Sequence, residues 1–424
     1  MATSLQYINF LRCANCGQRY SPSHIKYTCW QCGPVGTLEV IYDYQALGQS
    51  LEGYVKRVGI DGFSFGYEPS IWRYRPLLPV SDTLPIPALQ IGWSPLYKAE
   101  NLRKALELPN LFVKDDTRNP SASLKDRASA VVMMKARELG AKAVATASTG
   151  NAAASLAVMA AVYEMPCYIF VPEKAPRAKI AQLVNYGAQV FLVEGNYDQC
   201  FELCLTACEK YGWYNRNTGY NPFTVEGKKT VGLEIAEQLG GAPDKVLVPV
   251  GDGCIISGVY KGFYDLWQLG LIEKVPQMIA VQAEGSRAIA DALERPDKKI
   301  EAVETNTLAD SISVSLPRNG AMALKHIQES NGFAVTCSDT EILEGMRLLA
   351  RRAGVFAEPS AAIVAAALVK LKETGRLDPA ERIVALITGN GLKDIDSALK
   401  SMDDSDNRPH KVEATLEALD IFLI

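Results

Sequence analysis

From Leu111 to Ile387 the chain alternates short apolar runs with stretches of helical spacing, and this alternation most narrows what it can fold into. The apolar runs are Leu111-Phe112-Val113, Val144 to Ala147, Tyr168-Ile169-Phe170-Val171, Val190-Phe191-Leu192-Val193, Lys245 to Val250, Met278 to Gln282 and Ile383 to Ile387. Helical patterns lie between them, the clearest after Lys125, after Asn151, from Arg177 to Tyr186 and from Asp198 to Tyr211. Strands buried on both faces read as continuous apolar runs, and a helical crossover between consecutive strands makes them parallel. The expectation is an α/β fold with parallel sheets. One stretch, Ala143 to Tyr163, carries no charge over 21 residues, long enough to span a bilayer. Its middle is Ser148-Thr149-Gly150-Asn151, so a strand, a polar loop and an alanine-rich helix account for it better.

Three loops in this alternation carry chemistry. Asn119-Pro120-Ser121-Ala122-Ser123-Leu124 leads into Lys125, after which a helical pattern begins and runs to Gly140. An amine held where a loop becomes a helix sits in the positive field of the helix N-terminus, which disfavours the ammonium and favours a reactive amine. Taken alone, such a lysine is more often a solvated surface charge. Two small-residue loops shift that balance. Ser148 to Asn151 joins an apolar run to the helix expected over Ala152 to Tyr163. Gly251-Asp252-Gly253-Cys254-Ile255 joins the run Val246 to Val250 to a pattern through Val259, Phe263 and Leu266. A loop of this kind aims backbone N–H groups and a helix N-terminus at one spot, a site for phosphate or carboxylate. Two such loops with a reactive-lysine candidate point to a phosphorylated cofactor whose aldehyde the lysine holds: pyridoxal phosphate.

The segment NPSASLKDRAS resembles the cofactor-lysine segment of fold-type-II pyridoxal-phosphate enzymes, the group similar to the tryptophan synthase β subunit. ASTGNAAASLA, VEGKKT, TLADSISV, VFAEPSAA and ITGNGLKD resemble the threonine synthase family in the same chain order, over roughly Leu111 to Asp394. The resemblance implies two α/β layers with the cofactor between them, the smaller one mobile over the substrate. It implies Lys125 as the Schiff-base lysine and proton carrier, and Gly251, Asp252, Gly253, Cys254 and Ile255 around the cofactor phosphate. Asn151 would meet the phenolic oxygen of the ring, and Ser148, Thr149 and Gly150 the substrate carboxylate. Thr388, before Gly389-Asn390-Gly391, would face the pyridine nitrogen. Glu358 is expected to act no more than indirectly, and Ser360 to cap the helix it opens. Asp252 departs from the neutral loops of many relatives, and a carboxylate beside a phosphate must turn away or cap the helix. Thr224 stands where relatives often have an Arg suited to a substrate phosphate, leaving Arg216, Lys228 or Lys229 to compensate.

Of the ten cysteines, Cys13, Cys16, Cys29 and Cys32 form C-x2-C-x12-C-x2-C, each pair followed by glycine. Paired knuckles turn four thiolates onto one tetrahedral metal, which reads as a structural zinc ribbon; disulfides or a redox pair are the alternatives. Cys200, Cys204 and Cys208 recur every fourth residue and read as one buried helix stripe. A net charge of −4 makes no electrostatic case for nucleic acid or an anionic membrane as partner. No signal peptide is visible at Met1 to Ser4 and no lipidation signature at Asp420 to Ile424, so a cytoplasmic protein is expected.

The expected organisation is a zinc ribbon over 1–44, a large cofactor-binding domain from 45–127 and 214–424, and a small mobile domain over 128–213. Ser94-Pro95-Leu96 is expected to open a helix or to form a substrate loop, and Ser401 to Lys411 to begin a frayed tail. The expected ligand is a small amino acid, with a homodimer left open. The leading reading is conversion of O-phospho-homoserine and water to threonine and phosphate. A β-replacement, such as cysteate synthesis from phosphoserine, or an ammonia-lyase reaction on serine, threonine or diaminopropionate is the nearest rival. A binding protein that kept the fold without catalysis is the remote one.

Overall fold

The structure, a computed structural model, describes residues 7–24, 27–58, 62–175, 177–402 and 409–422. Its two principal sheets follow from the apolar runs. The smaller is a four-stranded parallel sheet in the order Gln189–Val193, Cys167–Pro172, Val144–Ala147, Tyr214–Asn215. The larger has six strands in the order Phe333–Cys337, Gln277–Ala283, Lys245–Pro249, Ile383–Ile387, Leu111–Asp115, Leu96–Tyr97. All are parallel except Leu96–Tyr97, which pairs antiparallel with Leu111–Asp115. Ser94-Pro95-Leu96 therefore opens no helix but leads into an edge strand.

Helices cover both faces of the large sheet, as parallel strands require. On one side Pro359–Glu373, rich in alanine, lets Asp339–Ala353 approach closely; this layer buries Val113, Leu247, Ile279, Ile363 and Ile387. On the other side Cys254–Gln268 and Thr230–Leu239 pack with Val246, Val248, Met278 and Leu386. The cysteine segment adds a three-stranded antiparallel sheet of Arg19–Tyr20, Ile8–Cys13 and Leu38–Tyr42. It is fastened to the body by Glu39, which meets His326 at 3.1 Å, and by Tyr42, whose hydroxyl donates to Glu226 at 2.5 Å. In the small layer, Lys125–Glu138 and Asn151–Val162 share a core with Val144, Ile169 and Leu183. Cys200, Cys204 and Cys208 lie buried along Tyr197–Tyr211. Residues 403–408 of the expected tail lie outside the described residues, and beyond them Leu416–Asp420 forms a short helix. Among the described residues no helix is long and apolar enough to cross a membrane.

Register decides where the loops converge. Leu111–Asp115, Ile383–Ile387 and Lys245–Pro249 run side by side in one direction, so the segments following all three emerge at the same sheet edge. That edge, at the carboxyl ends of parallel strands, is where open α/β sheets leave a crevice.

Candidate active site

The lysine loop is laced into the segment that follows Ile383–Ile387. Leu124 N–H donates to the Thr388 carbonyl at 2.9 Å, and Asn390 N–H to the Ala122 carbonyl at 3.1 Å. Ser123 and Gly389 form an isolated antiparallel bridge, as do Ala357 and Asn390, bringing three distant stretches together. Within the loop Ala122 has φ +61°, a left-handed conformation unusual for a residue with a Cβ. The loop delivers Lys125 as the first residue of Lys125–Glu138.

The charges flanking Lys125 anchor it. Asp126, fully buried, accepts from the Ser121 amide at 2.6 Å and the Ser121 hydroxyl at 2.5 Å. Burial, against those two hydrogen bonds, pushes its carboxyl up to about 6. Arg127 reaches Asp116 at 2.7 Å and Glu234 at 2.5 Å, and Glu234 also pairs with Lys114 at 2.7 Å, every member fully buried. Ser94 belongs to this network, its hydroxyl donating to Asp116 at 2.5 Å. Lys125 itself is half-buried. Burial lowers its ammonium below the ordinary lysine value, Glu358 opposes that and Arg216 reinforces it.

Gly251 to Ile255 follows Lys245–Pro249 and enters the helix Cys254–Gln268 through Gly253. Gly253 is required twice over: its φ is +86°, and a Cβ there would fall 2.6 Å from the Cβ of Ala323. Asp252 turns away from the loop, its carboxylate accepting from the Arg318 amide at 3.1 Å and its carbonyl from the Asn319 amide at 3.1 Å. Burial raises its carboxyl above the ordinary range. Across from this loop, in the small layer, Ser148, Thr149 and Gly150 are half-buried at the start of Asn151–Val162, and a Cβ on Gly150 would meet nothing within 4 Å.

Asn151 does not cap its own helix. Its amide donates to both oxygens of Glu358, at 2.9 and 3.1 Å, spanning the gap between the two layers. Glu358 is itself held from several sides. It is buried, its backbone amide donates to the Gly389 carbonyl at 3.0 Å, and burial raises its carboxyl despite Asn151 and Lys125. Ser360 makes no helix cap; its hydroxyl accepts from the Ser311 amide at 3.0 Å. A cleft lies here, lined from one layer by Thr149, Gly150 and Asn151 and from the other by Ser311, Glu358 and Lys393. Thr388 is buried at the end of Ile383–Ile387, beside the lysine loop.

Of the three cations named as substitutes for the missing Arg, Lys229 is committed to Glu226 and Asp265, at 2.6 and 2.7 Å. Lys228 Nζ and Arg216 Nη2 are buried with no hydrogen-bond partner among the described residues. Thr224 is fully buried and spends its hydroxyl on the Asn221 carbonyl at 2.8 Å. At the other end of the molecule, ligand atoms of Cys13, Cys16, Cys29 and Cys32 lie within 4.8 Å of one another. The Cys13–Cys32 and Cys16–Cys29 sulfurs stand 3.9 and 3.6 Å apart. The Tyr20 hydroxyl lies 3.0 Å from Cys29 Sγ.

Comparison with known proteins agrees with this geometry. The family described as "Pyridoxal-phosphate dependent enzyme" matches residues 88–389. The threonine synthase of Methanocaldococcus jannaschii is 39% identical over 413 residues, 96% of this chain and 98% of that protein. The threonine synthase of Methanosarcina acetivorans is 37% identical over 412 residues, 96% of this chain and 97% of that protein. Among solved structures, threonine deaminase isoform 2 of Solanum lycopersicum superposes with a TM-score of 0.63 at 25% identity, covering 73% of this chain and 87% of that one. With a lysine at a helix start, a glycine loop opposite it and relatives matched along almost their whole length, the chain belongs to the pyridoxal-phosphate dependent enzymes, in the branch that holds the threonine synthases.

Proposed function

We propose that the chain converts O-phospho-homoserine and water to threonine and phosphate, with pyridoxal phosphate as cofactor. The observation that carries this reading is the 39% identity with a threonine synthase across 98% of that protein. The residues present fit the cofactor. Lys125 supplies an amine made more available by burial, and the first turn of Cys254–Gln268 supplies N–H donors without intrahelical acceptors. When bound, pyridoxal phosphate supplies an electron sink for charge developing on the substrate carbons.

The chain supplies the rest. Lys125 would hold the cofactor and, as an amine beside the substrate, would move protons between neighbouring substrate carbons. Gly251 to Ile255 bind the cofactor phosphate, with Asp252 turned to the Arg318 amide so that its charge does not oppose it. Asn151, bonded to Glu358, would meet the phenolic oxygen of the ring, and Thr388 would offer a neutral hydroxyl to the ring nitrogen. Ser148, Thr149 and Gly150 receive the substrate carboxylate at the start of Asn151–Val162. In this reading the mobile layer runs from about 128 through the strand Tyr214–Asn215, two residues past the expected boundary because that strand completes the small sheet, and 45–127 with the residues after 215 form the fixed one. Closure over the substrate excludes water from all but the addition step.

The ribbon over 1–44 holds one structural zinc. Zinc–thiolate bonds of about 2.3 Å set tetrahedral sulfurs about 3.8 Å apart, close to the spacings present. Four sulfur ligands leave no open position, so the metal stabilises and does not catalyse. The reading places the protein in the cytoplasm, with no nucleic acid or membrane partner.

Product analysis tests it. The holoenzyme given O-phospho-homoserine should release threonine and phosphate in equal amounts. Efficient deamination of L-threonine, L-serine or diaminopropionate, with O-phospho-homoserine ignored, would overturn the reading in favour of an ammonia-lyase.

A further inference from the structure

Six lysine and arginine side chains are among the largest fully buried groups of the molecule: Lys114, Arg127, Arg216, Lys228, Lys229 and Lys261. Four have carboxylate partners, Lys114 and Arg127 with Glu234, Lys229 and Lys261 with Asp265. Arg216 and Lys228 have none among the described residues. Arg216 donates through Nε to Ser129 Oγ at 3.0 Å and through Nη1 to Thr218 Oγ1 at 2.5 Å, which leaves Nη2 unused. Lys228 Nζ has no hydrogen-bond partner among the described residues. A buried cation without a counter-charge is costly, and two together more so.

Both converge on one place. Ser129, the partner of Arg216, lies one turn beyond Lys125 in its helix. A Cβ on Gly258 would fall 2.6 Å from the Cβ of Lys228, so Lys228 lies directly on the first turns of Cys254–Gln268. Gly227, just before it, packs so closely on Arg127 and Ala128 that a Cβ there would run into their backbone. The two cations therefore stand between the starts of two helices, where unpaired N–H groups and positive helix ends add to their field. Burial, with Arg216 and Lys125 acting in the same direction, drives the Lys228 ammonium down to about 7, against Cys254 and Asp252. The nearby carboxylates are engaged elsewhere, Asp252 by the Arg318 amide and Asp126 by Ser121.

We propose that Arg216 and Lys228 form a two-cation cradle for a phosphate monoester in front of the Gly251 to Ile255 loop. A tetrahedral dianion matches two fixed cations and two sets of helix N–H donors, where a carboxylate would satisfy only part of them. Two phosphates have this chemistry, that of the cofactor and that of a phosphorylated substrate; only the second source rests on the proposed reaction.

The test uses the holoenzyme and three variants, Lys228→Met, Arg216→Gln and Lys228→Arg, with inorganic phosphate as probe. If the cradle serves the substrate, wild type binds inorganic phosphate, and Lys228→Met and Arg216→Gln each weaken it about 10- to 150-fold while keeping the cofactor. If it serves the cofactor, the same two variants weaken cofactor retention on dialysis by that factor. Lys228→Arg, which keeps the charge, should retain most of either affinity. Equal losses in Lys228→Arg and Lys228→Met would assign the effect to packing and overturn the cradle. So would variants that retain the cofactor and bind inorganic phosphate as wild type does. Threonine formation, cofactor retention and phosphate binding all undisturbed in both neutral variants sink the cradle alone. No threonine from O-phospho-homoserine, with phosphate or cofactor affinity still dependent on the two cations, sinks the reaction alone.

Discussion

Replacing Lys228 by Met should stabilise the protein stripped of cofactor and phosphate, by an amount set by pH. The Lys228 amine lies near 10.5 when the chain is unfolded and at about 7 in its buried place. At about 1.4 kcal/mol per pH unit, holding this group charged in the fold costs about 5 kcal/mol. Below pH 7 both states carry the proton and the cost is complete. Between about pH 7 and 10.5 the unfolded chain binds one proton more than the folded one, so stability rises with pH; above 10.5 the cost is gone. The groups facing Lys228 are Arg216, Lys125, Cys254 and Asp252. All of them remain in the variant, so their own titrations largely cancel in the comparison. Met fills most of the same space without charge. The stripped variant should therefore exceed wild type by about 4 kcal/mol near pH 7, and the gap should close toward pH 10. Denaturant titrations of both proteins at several pH values measure this directly. A gap that does not change with pH, or a variant less stable throughout, would refute the claim that Lys228 is an uncompensated buried cation.

Other outcomes follow from the same geometry. Lys125→Ala should abolish turnover and the visible absorbance of the bound cofactor while the protein stays folded; normal turnover would show that another group holds the cofactor. Metal analysis of reduced protein should find about one zinc per chain, and Cys29→Ser should lose most of it. Glu234→Gln leaves Lys114 without a carboxylate partner and Arg127 with Asp116 alone, and should cost about 3–5 kcal/mol near neutral pH. Burial opposes the ionised form of Glu234, yet Arg127 and Lys114 hold it down at about 2, so its contribution, present above about 4.5, is lost as pH falls toward 2, and acid denaturation curves of wild type and variant should converge there. Thr224→Arg puts a third cation one helical turn from Lys228 in a fully buried position and should lower kcat/KM for O-phospho-homoserine. Adding Lys228→Gln should restore it, and a single variant as active as wild type would contradict the expected repulsion.

Periodicity and loop chemistry determined much of this protein. The parallel strands were legible because strands buried on both faces are apolar throughout, and Lys125, Gly251 to Ile255 and the four-cysteine pattern because their chemistry depends on local spacing. Phe333–Cys337, a strand of the large sheet, was not among the runs singled out, although it is no more polar than Val144–Ala147. Leu96–Tyr97 escaped because a two-residue strand has no period; only its pairing with Leu111–Asp115 defines it. What tertiary structure alone decided is which charges have partners. Arg216, Lys228 and Lys229 are equivalent in sequence, yet Lys229 faces two carboxylates while the other two face helix starts. Glu358 and Asn151, 207 residues apart, meet because register brings the ends of two sheets together. A counter-charge is a matter of a few ångströms in space, set by how the layers pack, and no local pattern in the chain encodes it.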